Sequence, residues 1–333
     1  MTIIPFQPDL VPEAGNLLAL RHQRDRTHLP TLPTRFEDPI VASKAVETSL
    51  KRNSASGVAA MDGGRMLGYM IGDLLVDNVW GRSAWVRMAG CALAPDQSVE
   101  LISELYAVLA ERWVSTYGCL DHFILTPIAN AALVNAWFML SFGVQQVYAL
   151  KVVSAFEASD LPMLSDIDIR KAGSTDREAM ADMSDVIWRQ QIQAPVWAIM
   201  PPENVAETRD GWGELVDDVT AAVFLAFMQG KAVASQCYYS SEAQDDNLLV
   251  PDRCAALTVA VTREAFRGQG VQHALTQYAL AWLKDNGFEY VEADWRSTNL
   301  LASRTWPRHG YQPVAYRLHR RIDPSILWAK GLD

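Results

Sequence analysis

The same order of predicted elements occurs twice along this chain of 333 residues. Two β-rich runs around a glycine turn are found at 57–76 (GVAAMDGGRMLGYMIGDLLV) and again at 221–240 (AAVFLAFMQGKAVASQCYYS), a pattern typical of a β-hairpin. The turn glycines Gly64 and Gly230 stand 166 residues apart. Two later landmarks, the glycines of "SFG" and "RHG", stand 167 residues apart. Landmarks at nearly one offset predict a tandem duplication.

Each repeat continues after its hairpin with a strand, a helix, a short strand, a further helix and a closing strand. In the second repeat the first three of these read CAALTVAVT, VQHALTQYALAWLKDNG and EYVEADW. This alternation predicts an α/β fold (α+β, with a mixed sheet) in each of two domains. The predicted boundaries are a first domain at 1–155, a linker at 156–166 (FEASDLPMLSD), a second domain at 167–322 and a tail at 323–333.

Charge and cysteine content argue against several classes of partner. A net charge of −10 and a pI near 5.1 do not suit nucleic acid or an anionic membrane, which bind clustered positive charge. The 4 cysteines lie far apart without the spacing of a zinc site, so we expect free thiols and no metal. The first residues lack a signal-peptide pattern, and no apolar run has the length of a membrane span. We expect a soluble, cytoplasmic protein that is a monomer or a homodimer.

A glycine-bearing junction at 265–275 (AFRGQGVQHAL) joins a predicted buried strand to a predicted helix. The first N–H groups of a helix are unpaired and attract phosphate oxygens, glycine allows close approach of the backbone, and Arg267 adds a positive charge. A dinucleotide fingerprint would need glycine where the chain has His273, and a Walker loop would need G-K-[ST]. A phosphate site and an ordinary glycine turn both remain open at this point.

The order of elements and two motifs resemble the acyl-CoA N-acyltransferase superfamily, the GNAT acetyltransferases. Arg267 and Gly270 match the R-x-x-G part of that family's phosphate loop, but Gln272 stands where the family has glycine or alanine. Downstream, NLLASRTWPRHGY is similar to the family's N-x-x-A helix and following G-F strand, with Asn299 and Gly310 in register. The resemblance covers residues 166–322.

The resemblance implies acetyl-CoA as co-substrate, a small-molecule amine as acceptor and no metal. It implies that the loop amides bind the pyrophosphate, that the pantetheine arm lies between the strands CAALTVAVT and EYVEADW, and that a backbone N–H of the former stabilises the oxyanion. The implied co-substrate-binding residues are Val259, Ala260, Val261, Arg267, Gly268, Gln269, Gly270, Val271, Gln272, Asn299, Ser303 and Trp306.

The catalytic groups are less clearly indicated. Trp306 stands where the family has a tyrosine acid, and indole cannot give up a proton at useful pH. Tyr311 and Tyr316 lie nearby in the sequence and could replace that acid. Strand alternation places Glu292 and Asp294 on one face, where either could act as base. The structural alternative is an ion pair, either of Asp294 with Arg296 or of Glu292 with an arginine.

The first repeat differs from the second at the same junction. It reads CALAPDQSVEL, without arginine or glycine, and Pro95 lacks an N–H. We therefore expect residues 1–155 to be a degenerate copy without an acyl-CoA site. Two functions are compatible with these observations: an acetyl-CoA-dependent N-acetyltransferase acting by direct transfer, and a catalytically weak acyl-CoA-binding or interaction protein of the same fold.

Overall fold

The computed structural model describes residues 1–157 and 166–331, so most of the predicted linker, residues 158–165, lies outside the described residues. The fold is α/β with mixed strand directions, as predicted. The strands are β1 (Thr2–Pro5), β2 (Ser56–Asp62), β3 (Arg65–Asp77), β4 (Gly81–Val86), β5 (Cys91–Leu93), β6 (Asp121–Pro127), β7 (Gly143–Val152), β8 (Ile167–Lys171), β9 (Ala221–Met228), β10 (Lys231–Ser241), β11 (Cys254–Thr262), β12 (Tyr290–Arg296) and β13 (Gln312–Arg321).

Each repeat contains the two helices predicted after its hairpin, and further helices are also present. They are α1 (Val11–His28), α2 (Pro39–Leu50), α3 (Leu101–Ser115), α4 (Ala131–Met139), α5 (Arg177–Ala181), α6 (Ser184–Gln191), α7 (Val205–Glu214), α8 (Val271–Asp285), α9 (Leu300–Arg308) and α10 (Ser325–Ala329). Both predicted hairpins form, as β2–β3 and β9–β10. The strand expected after the first hairpin is instead broken into β4 and β5 by a 3-10 turn at Met88–Gly90. Gly90 suits this turn because a Cβ there would lie 2.5 Å from the carbonyl oxygen of Ile71.

The chain forms two compact units whose boundaries differ from those of the predicted domains. Unit 1 contains Met1–Tyr148, Ala243–Pro251 and Pro313–Asp333, whereas unit 2 contains Ala149–Glu242 and Asp252–Gln312. The difference arises because the closing strand of the second repeat, β13, pairs antiparallel with β6 of the first. The last residues of β7, from Ala149 onward, belong to unit 2, where β12 is the neighbouring strand.

Unit 1 is built on antiparallel pairs of β1 with β2, β2 with β3 and β3 with β4, followed by a parallel pair of β4 with β6. Helix α3 packs one apolar face on this sheet and buries Leu105, Leu109 and Trp113. Trp137 of α4 joins the same core. Aromatic side chains of this size contribute much of the apolar area that such a core removes from water.

Unit 2 positions the candidate site. Strands β8, β9, β10 and β11 pair antiparallel in that order, and β12 pairs parallel with β11. Helix α8 covers the sheet with Leu275, Leu280 and Leu283. Met180 and Met183, from the segment of α5 and α6, complete a core with strands β9 to β11. Because α8 begins directly after the loop that follows β11, this core fixes the position of the loop.

Candidate functional site

Strands β11 and β12 separate part-way along their length. Their parallel ladder runs from Cys254 opposite Tyr290 to Leu257 opposite Ala293, although β11 continues to Thr262. At about 3.3 Å per residue, roughly 16 Å of β11 extends past the last paired residue. The backbone groups on that edge are not used by β12 and can bind a ligand.

A β-bulge lies at the point of separation. Cys237 of β10 is opposite Val259 and Tyr238 is opposite Leu257, so Thr258 is the extra residue. Its hydroxyl donates a hydrogen bond to the carbonyl of Cys237 at 3.2 Å. A bulge bends its strand and increases the local twist, which accounts for β11 turning away from β12.

The loop after β11 has the geometry of an anion-binding helix start. Gly268 and Gly270 adopt positive φ angles of 73° and 83°, and Gly270 is the N-cap of α8. The first amide to bond back within the helix is that of Ala274, which donates to the Gly270 carbonyl at 2.9 Å. A Cβ at Gly268 would meet nothing within 4 Å, so the backbone is open to a ligand. The amides of the first helical turn are thus available to an anion.

A cavity of about 380 Å³ opens at this loop, a volume within the range of small-molecule sites. Its walls come from α6, the end of β11, the loop with the first turn of α8, and α9. The lining residues are Val186, Ile187, Gln190, Gln191, Ala260, Val261, Thr262, Phe266, Arg267, Gly268, Gly270, Val271, Gln272, His273, Asn299, Leu301, Ala302, Arg304, Thr305, Trp306 and Arg308.

The charge of the cavity is opposite to that of the chain. Arg267, Arg304 and Arg308 line it, and none of the described residues in its lining is acidic. Arg267 donates hydrogen bonds to two neutral oxygens, the Thr262 carbonyl at 3.1 Å and the Gln190 side chain at 3.2 Å. Within the described parts of the chain, neither Arg304 nor Arg308 forms an ion pair. Three cationic groups without a neutralising carboxylate predict an anionic ligand.

Other arginines of unit 2 are neutralised, which sets the cavity apart. Arg177 contacts both Glu214 and Asp217, at 3.1 and 3.2 Å. Arg209 contacts Glu178 and Asp182, at 2.7 and 2.8 Å.

Most of the predicted co-substrate residues meet at this cavity. Ala260, Val261, Arg267, Gly268, Gly270, Val271, Gln272, Asn299 and Trp306 line it, whereas Val259, Gln269 and Ser303 do not. Val259 packs on the core of unit 2, Gln269 donates to the Ala265 carbonyl, and Ser303 donates to the Ser297 carbonyl. Asn299 caps α9 by accepting a hydrogen bond from the amide of Ala302 at 3.3 Å.

Arg304 and Arg308 line the cavity but were not among the residues predicted from the sequence. They are four residues apart on α9, so one helix face presents both to the cavity. That spacing is readable in the sequence as R-x-x-x-R beside the N-x-x-A motif.

Glu292 and Asp294 flank the position where β11 and β12 part, since the ladder ends at Ala293. The Ser241 hydroxyl donates to Glu292 at 2.5 Å. Burial, with a smaller contribution from Asp294, raises the pKa of the Glu292 carboxyl. Asp294 is more exposed than Glu292. A carboxyl with a raised pKa is better matched to proton transfer near neutral pH.

The structure does not bring Tyr316, the predicted replacement acid, to the cavity of unit 2. It lies on β13 opposite Thr126 and packs against the core of unit 1. Trp306 lines the cavity and makes an edge contact with Tyr311, with ring centroids 5.3 Å apart. Tyr311 is 1% exposed, and burial raises its pKa far from neutrality.

The corresponding junction of unit 1 has a different chemistry. Arginines of α1 occupy carbonyl groups of β5, with Arg21 donating to Cys91 and Arg24 donating to Leu93. The residue that precedes α3 is Glu100, and Glu104 lies in the first turn of that helix. Negative charge at a helix N-terminus opposes phosphate binding.

The remaining observations concern the cysteines, metal-binding clusters and membrane spans. All four cysteines are free thiols. Among the described residues, no cluster of three or more His, Cys, Asp or Glu side chains could hold a metal ion. None of the described helices has the length and apolar character needed to cross a membrane.

Comparison of the sequence with family models gives a match over residues 186–311, to the acetyltransferase (GNAT) family. Residues 186–311 form a GNAT domain. This range contains the loop, α8, β12, α9 and all the residues that line the cavity. The GNAT match implies acyl transfer as the general reaction. No curated protein matches the chain in sequence.

Solved structures extend the GNAT fold to almost the whole chain. A GCN5-related N-acetyltransferase from Sphaerobacter thermophilus is 16% identical, with a TM-score of 0.57 over 96% of this chain and 95% of that chain. A tandem GNAT protein from the clavulanic acid biosynthesis pathway is 12% identical, with a TM-score of 0.54 over 97% and 99%. The glucosamine N-acetyltransferase region of a fungal multi-domain β-N-acetylglucosaminidase is 14% identical, with a TM-score of 0.51 over 96% and 38%. The predicted fold, with two GNAT-like domains in tandem, is confirmed.

Proposed function

We propose that this protein transfers an acetyl group from acetyl-CoA directly to the amino group of a small molecule, in unit 2. The observation that carries the proposal is the cavity at the start of α8, which combines free helix amides with three unneutralised arginines. Acetyl-CoA supplies both an anionic nucleotide part for these groups and a thioester. The unpaired edge of β11 offers the remaining length of the co-substrate a strand to bind.

The residues of unit 2 then have defined tasks in the transfer. The amine nitrogen bonds to the thioester carbonyl carbon, the C–S bond breaks, and the thiolate takes up a proton. Backbone N–H groups at Val259 to Val261 stabilise the negative charge on the carbonyl oxygen. Glu292 accepts a proton from the amine, since its raised pKa favours proton uptake. The net charge of −10 favours an acceptor that is cationic in solution.

A second candidate function is acyl-CoA binding with little or no turnover. Trp306 favours it, because the indole cannot supply a proton to the leaving thiolate. Burial raises the pKa of the neighbouring Tyr311, so its hydroxyl is also a poor proton donor near neutral pH. A lost general acid typically costs about 10²- to 10⁴-fold in rate.

Release of free thiol from acetyl-CoA separates the two functions. Incubation with a panel of small amines should release thiol in step with an acetylated product, detected by its mass. Thiol release at the background rate with every amine, together with measurable acetyl-CoA binding, would favour the binding protein instead.

We expect Trp306→Phe to change turnover by less than about 10-fold, because Trp306 packs the cavity wall and donates no proton. Trp295→Phe is the matched control, since Trp295 is also buried in unit 2 but does not line the cavity. Steady-state kinetics of both variants test this. A collapse of turnover in Trp306→Phe alone, with acetyl-CoA binding unchanged, would contradict the packing role.

A further inference from the structure

In unit 2, a network of buried polar side chains connects strand β10 to the first turn of α8. The hydroxyl of Tyr238 donates to Oε1 of Gln236 at 2.7 Å. Nε2 of Gln236 donates to Oγ1 of Thr276 at 2.7 Å, and that hydroxyl donates to the backbone carbonyl of Gln272 at 2.8 Å. Gln236 and Thr276 are both 0% exposed. Buried polar groups destabilise the fold unless they form hydrogen bonds. This network therefore holds the first turn of α8 in one position.

The side chain of Gln272 is half satisfied. Its Oε1 accepts a hydrogen bond from the hydroxyl of Thr262 at 2.7 Å, which orients the amide. Its Nε2 is buried and has no hydrogen-bond partner in the described chain. Gln272 also lines the cavity. Nε2 of Gln272 is therefore an oriented donor without an acceptor, in the wall of a cationic cavity. Such a donor favours binding of an anionic oxygen.

We infer that Nε2 of Gln272 donates a hydrogen bond to a phosphate oxygen of bound acyl-CoA. The inference rests on the proposed function and assigns a contact within that site. Where the GNAT motif has glycine or alanine, this chain adds a side-chain donor to the backbone amides. Thr262 orients that donor, while Tyr238, Gln236 and Thr276 are positioning residues for the helical turn that carries it.

The matched pair Gln272→Glu and Gln269→Glu tests the contact. Both variants add one negative charge to the same loop, but Gln269 is exposed, bonds the Ala265 carbonyl and does not line the cavity. Calorimetric titration with coenzyme A should give a Kd for Gln272→Glu that is at least about 10-fold higher than that for Gln269→Glu. Gln272→Ala should raise the Kd by about 5-fold, because it removes the donor without adding charge.

Pantetheine, which lacks the phosphates, identifies the group that Gln272 contacts. The Kd for pantetheine should be the same in Gln272→Ala and the wild-type chain. An equal loss for pantetheine and coenzyme A would assign the contact to the pantetheine arm and overturn the inference.

The positioning role has its own test in Thr276. Thr276→Val keeps the shape and removes the hydroxyl, whereas Thr276→Ser keeps the hydroxyl. We expect Thr276→Val to raise the coenzyme A Kd by about 3-fold or more and Thr276→Ser to restore it. Equal affinities of the two variants would overturn the positioning role.

The controls distinguish failure of this inference from failure of the proposed function. Absence of coenzyme A binding by the wild-type chain would overturn both. Binding by the wild-type chain with Gln272→Ala equal to it or tighter would overturn the inference alone, since Gln272 would then only crowd the loop.

Discussion

Replacing Gly270 by valine is expected to weaken coenzyme A binding by at least about 100-fold, the loss of two charge-assisted hydrogen bonds of about 1.5 kcal/mol each. Gly270 has a φ of 83°, a conformation that a β-branched residue strongly disfavours. Relief of this strain would turn the amides of the first helical turn away from the cavity. Gly270 also lines the cavity, so the strain arises at the proposed binding site.

Gly287→Val is the matched control for this variant. Gly287 follows α8 with a φ of 84°, a Cβ there would meet nothing within 4 Å, and it does not line the cavity. The control should suffer similar backbone strain and bind coenzyme A normally. Calorimetry measures the coenzyme A affinity of both variants, and thermal melting measures their stability. An equal loss of affinity in both would mean that the loop is not the phosphate site.

Reversing the two unpaired cations of α9 is expected to have an effect of similar size. The double variant Arg304→Glu/Arg308→Glu should raise the coenzyme A Kd by about 100-fold, because two charged contacts are lost and two repulsions are added. The loss should shrink as the salt concentration rises, since exposed charges are screened. Titrations at low and high ionic strength measure both effects.

The control for charge reversal is Arg82→Glu/Arg112→Glu. These exposed arginines of unit 1 donate hydrogen bonds to Tyr117, and their reversal changes the net charge by the same amount. Their reversal should leave the affinity within about 3-fold of the wild-type value, the scale of a screened charge that does not line the cavity. If the control lost as much affinity for coenzyme A, the cavity arginines would act only through the net charge of the protein.

Local patterns in the sequence were sufficient for many of the elements and for the glycine loop. The hairpins, the strand β11 and the helix α8 follow from alternation, turn glycines and helical periodicity, all of which act over a few residues. The geometry of the glycine loop was predictable for the same reason, because helix starts and positive-φ glycines have local signatures.

The exchange of closing strands could not be predicted in this way. Alternation indicates that β7 and β13 are strands but does not specify which sheet edge each one joins. Tyr316 was therefore proposed for a site in unit 2, although β13 carries it into unit 1 beside β6. Arg304 and Arg308 were missed because a charged helix face is usually a solvated surface, and only the tertiary structure places it on a cavity.

The separation of β11 from β12 was expected from the GNAT resemblance, but its cause lies in pairing. Thr258 is the extra residue of the bulge, and nothing in the run CAALTVAVT marks it as such. Bulge positions depend on the partner strand, which the sequence of one strand does not specify.

The stoichiometry of acetyl-CoA binding tests the central claim most directly. Unit 2 has a glycine loop with cationic walls, whereas in unit 1 the start of α3 carries Glu100 and Glu104. Calorimetric titration of the full chain should therefore give one site per chain. Two equivalent sites, or no site, would contradict the account.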